Sequence, residues 1–279
     1  MLASAACLAY NVLPRPAPVA TAATGAAAHA PVGTVVTARE RHDLVAKARH
    51  DLVAMVATDT AAPATAAPYT ADELIELTKK FLDTATGLYS PLDAEQFADD
   101  FIFRGGVVGP LNKKDYLRTM TLLGCAEAFD LAHNAFGFTV DPDDPMCVRF
   151  FLRNRGEHTK PWQPWGAVPP TPIPPTPGRT TVIAPTETAR LVFNPDGRVK
   201  HYATGLVVGK YEAVQGESNT NGLGAVLGLF NAVGFGAVGG LALNKQVRDA
   251  SNFAADQFEF LKIPKTKTNE EDVPAWWKE

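Results

Sequence analysis

The chain has 279 residues and a mass of 29.8 kDa, room for one domain of about 100 to 150 residues with long extensions. Its 26 Lys and Arg against 30 Asp and Glu give a formal charge of -4 and a pI near 5.9, so no overall positive field draws it to nucleic acid. Three cysteines, Cys7, Cys125 and Cys147, are too few for a disulfide scaffold, and free thiols are expected.

Residues 1 to 39 lack Asp and Glu and are dominated by Ala, Pro, Thr and Val, the acid-poor composition of an organellar presequence. Met1 to Leu13 is in addition a short apolar run like a signal core. A signal-plus-transit leader into a plastid of secondary origin, as in algae, is expected; a disordered tail without an address is the alternative. Arg41-His42-Asp43-Leu44-Val45-Ala46 then returns as Arg49-His50-Asp51-Leu52-Val53-Ala54. That spacing places Leu44, Ala48, Leu52 and Val56 along one stripe of a short amphipathic helix. Segment 40–70 ends in a Pro- and Ala-rich linker.

The folded part is expected over 71–215. Thr70 followed by Glu73 is a capping box, so a helix begins at Ala71, buries Leu74, Leu77 and Phe81, and ends at Gly87. Asp93 starts a second short helix through Phe97, after which Phe101 and Phe103 begin to alternate. A glycine-rich turn leads to Asn112, placed to cap a third helix from Lys113 to about Phe129, with Tyr116, Leu117, Met120 and Leu123 inward. Then the period falls from near 3.6 to 2: Phe136, Phe138 and Val140 form one strand, and Val148, Phe150 and Leu152 the next. Strands over Thr186 to Phe193 and Val199 to about Tyr211 are joined by Asn194-Pro195-Asp196-Gly197, a hairpin signal. Residues 156–178 are proline-rich and must run extended, because proline removes ladder donors.

Helices first and a curved antiparallel sheet after them resemble the cone-shaped nuclear transport factor 2-like superfamily, in particular its SnoaL-like branch. Phe101 to Tyr116, with its aromatic strand, Gly-Pro turn and helix opened by Lys113-Lys114, carries the resemblance. It implies an α+β fold of three N-terminal helices packed on a curved antiparallel sheet. The open end of such a sheet is a pocket that in relatives binds small apolar molecules, catalyses cyclisation, isomerisation, dehydration or hydrolysis, or serves association.

Segment 216–262 follows. Within it, residues 222 to 243 carry no charge and are rich in glycine. Their length suits a membrane span of about 20 residues, while each glycine weakens a helix by about 1 kcal/mol relative to alanine. A pocket-covering helical hairpin, peripheral membrane contact and a mobile segment all stay open. Phe253, Phe258 and Phe260 suggest an element that folds back on the core, and the charged tail 263–279 ends in Trp276-Trp277, suited to docking in a groove.

An enzyme of this shape needs an acid or base held in an apolar pocket, where desolvation moves its pKa toward the working pH. The titratable and cationic candidates are Asp83, Tyr116, His133, Arg149, Arg153, Glu187, His201 and Tyr202. Period-2 alternation puts His201 and Tyr202 on opposite faces of their strand. His201 shares its face with Val199, Ala203, Gly205 and Val207, and is therefore taken as the general base, with Tyr116 and Asp83 beside it. Phe101, Phe103, Tyr202 and Thr204 are expected ligand contacts, as are Arg149 and Arg153, which on one face would clamp a carboxylate or phosphate. Phosphate-loop, Cys-x-x-Cys, His-Glu-x-x-His and Gly-x-Ser-x-Gly patterns are absent from the sequence, so no metal and no cofactor are expected. The expected partners are a small apolar molecule or a protein segment, not nucleic acid; a second copy pairing through the sheet is left open.

Overall fold

The computed structural model describes residues 68–164, 166, 171–207, 218–220 and 223–278. The leader over 1–39, the repeat helix and most of the linker lie outside the described residues. So do parts of the proline-rich excursion and the strand beyond Val207.

Helix α1, Ala71–Thr84, starts as the capping box requires: Thr70 Oγ1 accepts from Glu73 N at 3.3 Å, and Glu73 Oε2 accepts from Thr70 N at 2.8 Å. Its buried side chains are Leu74, Thr78, Phe81 and Leu82. In place of the expected second helix there is one 3-10 turn, Ala94–Gln96, and Phe97 already opens strand β1, Phe97–Arg104. Phe97, Phe101 and Phe103, in phase on one face of the strand, outweigh a single capping aspartate. After β2, Leu111–Asn112, the helix α2 spans Lys113–Leu123, with Asn112 Oδ1 accepting from Asp115 N at 2.9 Å. It stops short of the expected end near Phe129 because Gly124 takes the left-handed conformation, φ 56°. The short helix α3, Cys125–Ala128, and strand β3, Phe129–Ala132, occupy the remainder.

The other strands are β4 Phe136–Val140, β5 Cys147–Leu152, β6 Arg155–His158, β7 Thr181–Ile183, β8 Glu187–Phe193 and β9 Val199–Val207. They form a six-stranded sheet, β2-β1-β9-β8-β5-β4, and a three-stranded one, β3-β6-β7. Each strand of the smaller sheet continues along the chain into one of the larger: β3 into β4, β5 into β6, β7 into β8. The breaks fall side by side, with Arg153 N donating to His133 O and Ala184 N to Asn154 O, both at 2.9 Å. The two sheets are therefore one ladder folded along a line, and register shifts within β4–β5 and β8–β9 add further bending. The sheet is mixed rather than wholly antiparallel, because β1 runs parallel to β9. Asn194–Gly197 makes the expected tight turn between β8 and β9, with Gly197 N donating to Asn194 O at 3.0 Å.

The core lies between α1, α2 and the concave face. Phe81 packs edge-on against Phe97 and Tyr202, with centroids 5.3 and 5.7 Å apart, and Phe97, Phe101 and Tyr116 continue the cluster. Each such side chain withdrawn from water contributes about 1.5–3 kcal/mol. The proline-rich excursion is pinned by fully buried Trp162, whose Nε1 donates to Leu123 O at 2.7 Å.

The uncharged segment is a helical hairpin, α4 Ala225–Ala232 and α5 Gly236–Leu243, followed by α6 Lys245–Gln257. Leu229, Phe230, Ala232 and Val233 are buried, and the Phe230 ring lies 4.7 Å from that of Trp162. Among the described residues no helix is long and apolar enough to cross a membrane. The expectation that Phe253, Phe258 and Phe260 fold back on the core is corrected: they are 64, 44 and 73% exposed. The end of the chain is tied in by main-chain bonds, Gly109 N to Thr266 O and Thr268 N to Pro110 O, both 2.8 Å. Trp276 Nε1 donates to Asp100 O at 3.0 Å, so the tryptophan pair lies over β1 and β9.

Candidate functional site

The hairpin roofs a cavity of about 370 Å³. The floor is apolar and aromatic: Tyr116, Met120 and Leu123 from α2, Phe103 from β1, and Tyr202 with Thr204 from β9. The roof is Leu223, Ala225, Val226, Phe230 and Val238, and Leu88 and Tyr89 close one side. That volume falls in the range of small-molecule sites.

A carboxyl group stands against the roof. Glu187 opens β8, directly after the fold line, in phase with buried Ala189, Leu191 and Phe193, so the strand period turns it inward. It is fully buried. Its Oε1 accepts from Ala225 N at 3.2 Å, the first N–H of α4, while Oε2 has no partner among the described residues. Gly224 crosses directly over the carboxyl; a Cβ there would overlap it. Burial pushes this carboxyl up to about 7, the Ala225 N–H pulling weakly the other way. Tyr202, Tyr89 and Tyr116 are raised as well, by burial first, with Glu187 adding to the shift of Tyr202 and Tyr89. At neutral pH neutral tyrosine hydroxyls thus line the cavity, and a carboxyl that holds or releases one proton lies against Gly224 and Ala225 of its wall without being part of that wall. Tyr116 spends its O–H on Thr86 O, at 3.0 Å.

Tyr116, Phe103, Tyr202 and Thr204 come together in the cavity wall, and the other expected site residues do not. The reading of His201 as pocket base is corrected: Tyr202 faces the cavity, and His201 faces the opposite side of the sheet. There it is buried beneath Trp276 and Trp277, with ring centroids 5.9 and 5.2 Å away. Burial lowers this imidazole to about 4, with the Arg190 charge assisting. Asp83 sits at the exposed end of α1, 2.9 Å from His133 Nε2. Phe101 is wholly buried in the aromatic core instead of lining the cavity. Arg149 and Arg153 form no clamp: Arg149 pairs with Asp141, whereas Arg153 Nε donates to Thr186 Oγ1 at 3.1 Å and its guanidinium lies 5.1 Å from the Phe136 ring. Tyr89 sits in a loop without periodicity and left no sequence signal. Glu187 left one, a carboxylate in phase with three apolar residues. Among the described residues no three His, Cys, Asp or Glu side chains are grouped to hold a metal.

No family model and no curated protein sequence matches the chain. It is similar to solved structures at low identity. One is a steroid delta-isomerase from Pseudomonas aeruginosa, 14% identical, covering 65% of this chain and 99% of that one, TM-score 0.33. A second is an NTF2-like protein from Anabaena variabilis, 13% identical, covering 52% and 92%, TM-score 0.32. A third, from Jannaschia sp. CCS1 and assigned as a SnoaL-like polyketide cyclase, is 15% identical, covering 48% and 84%, TM-score 0.34. The second and third carry the names of the group that the sequence resembles.

Proposed function

We propose that the domain binds a small, mainly apolar molecule in the cavity beneath the hairpin. The observation that carries this reading is the cavity itself: an apolar, aromatic chamber of about 370 Å³ under its own helical roof, with few polar groups converging on it. Such a chamber gains about 0.8 kcal/mol for each methylene transferred into it from water. Organic extraction of the purified full chain, followed by mass spectrometry, is expected to release a stoichiometric lipid, pigment or terpenoid. Empty extracts, together with failure of apolar probes to raise the melting temperature, would sink the reading.

A second reading adds chemistry, a lyase, isomerase or cyclase reaction on a polyketide- or terpenoid-like substrate. Glu187 favours it, since a carboxyl titrating at about 7 is suited to shuttle a proton at neutral pH. Neutral Tyr202 would steady developing negative charge. Glu187→Gln should abolish turnover and leave binding intact, while His201→Ala, on the far face, should alter neither. Full turnover in Glu187→Gln would discard this reading without touching the first.

A further inference from the structure

A second cleft, of about 420 Å³, borders the cavity, and Val107 and Thr266 line both. Between them runs the loop Gly105 to Gly109, closed by Gly105 N to Val108 O at 2.8 Å and held to the tail by Gly109 N to Thr266 O. Gly109 is at φ 105°, and a Cβ there would overlap Phe103 O. The partition is therefore a single short loop in which three of five residues are glycines, with Val107 presented to both spaces.

The cleft differs sharply from the cavity in charge. Arg104, Lys245, Arg248 and Lys267 line it, and among the described residues Asp249 is the only acid in its wall, although the chain as a whole carries -4. Two of these cations are held in place by neutral oxygens. Arg104 Nη1 donates to Gly109 O at 2.7 Å and Val108 O at 3.3 Å, and Arg248 Nη1 to Leu243 O at 2.7 Å and Ala242 O at 3.0 Å. Among the described residues neither guanidinium, nor Lys267, has a carboxylate within ion-pair distance, and Asp249 engages Lys245 at 2.6 Å. Asp249 also feels the charges of Arg248 and Lys267. Four cations against that one acid, with both guanidiniums oriented by carbonyls, still leave an excess of positive charge of the kind that receives a carboxylate or phosphate. The Trp277 ring and Asn252 complete the wall.

We propose that this cleft is the head-group subsite of the same ligand whose apolar body fills the cavity, so that the ligand is an amphiphile carrying one phosphate or carboxylate. The inference rests on the apolar-ligand reading and narrows it. The hairpin, which contributes Leu243 and Ala242 carbonyls to the orientation of Arg248, then joins the two halves of the site.

Calorimetric titration of the full chain with dodecanol, dodecanoate, dodecyl phosphate and inorganic phosphate tests it. At least one of the two anionic dodecyl compounds is expected to bind about ten-fold or more tighter than dodecanol, with an advantage that shrinks as salt rises. Which anion gains more identifies the head group. In the double variant Lys245→Gln/Lys267→Gln, two exposed sites where folding is not at stake, the advantage should fall several-fold while dodecanol affinity holds. Equal affinity for dodecanol and both anions, unchanged in the variant, overturns the head-group assignment and leaves the apolar site standing. Binding of inorganic phosphate as tightly as dodecyl phosphate overturns the single-ligand assignment, because the cleft would then act alone. Failure of all three dodecyl compounds overturns the apolar-ligand reading itself.

Discussion

Glu187 and His201 lie on opposite faces of the sheet and load the fold in opposite directions. Native Glu187 holds its proton up to about 7, against 4.5 ordinarily, so its contribution to stability is present below pH 4.5 and is lost as pH rises through 7. Native His201 refuses a proton down to about 4, against 6.5, so its contribution is intact above pH 6.5 and is lost as pH falls toward 4. Each amounts to roughly 3 kcal/mol over its window, and the windows overlap, which flattens the pH profile of the native chain. Glu187→Gln should remove the first slope: urea midpoints of the variant should rise above wild type at about pH 8 and converge with it near pH 4.5. An equal shift at both pH values would contradict the buried-carboxyl assignment. Gly224→Ala should prove damaging for the same reason, because its methyl meets the carboxyl; a loss of 1–3 kcal/mol is expected, and unchanged denaturation curves would show that the contact is absent.

Among elements, the roof is where backbone strain and capping decide the outcome. Ala225, the first residue of α4, sits at φ 44°, which costs a non-glycine residue about 1 kcal/mol. Ala225→Gly should therefore raise stability by up to that amount, read as a higher urea midpoint at unchanged slope. Asn244 Oδ1 accepts from Gln246 N at 2.9 Å and Val247 N at 3.3 Å to start α6; Asn244→Ala should cost about 1 kcal/mol in the same assay. The elements legible in advance were those with a local cause. Thr70 and Asn112 announced their helices, Pro195-Asp196-Gly197 its turn, and alternation the strands β4, β5 and β8. What stayed hidden had no local cause. β3, β6 and β7 are short strands whose pairing depends on the fold line, and β1 followed a turn that reads like a helix start.

At the scale of the whole molecule, the C-terminal tail changes which face of the sheet is buried. Trp276 and Trp277 cover His201, and Lys200 Nζ lies 4.8 Å from the Trp276 ring. Trp276→Ala/Trp277→Ala should let water reach the imidazole, and its NMR titration midpoint should climb from about 4 toward 6.5. A midpoint that stays low would show that the sheet alone shields it. The same covering is why alternation alone misassigns His201 to the cavity. A strand's period says that two neighbours point to opposite sides; it does not say which side encloses the cavity, and here both sides are buried.

The sequence by itself determined the α+β order, the caps, the tight turn, the inward stripe of α2 and the apolar character of 222–243, because each follows from contacts within a few residues. Only the tertiary structure decided that this apolar segment is a roof, that Glu187 rather than His201 stands against it, and that a cationic cleft opens next to it. Those facts depend on chain segments more than thirty residues apart meeting across a folded sheet, such as Glu187 with Ala225 and Gly109 with Thr266. No periodicity or motif encodes such a meeting, since its energy comes from desolvation and packing that exist only once the chain has closed on itself.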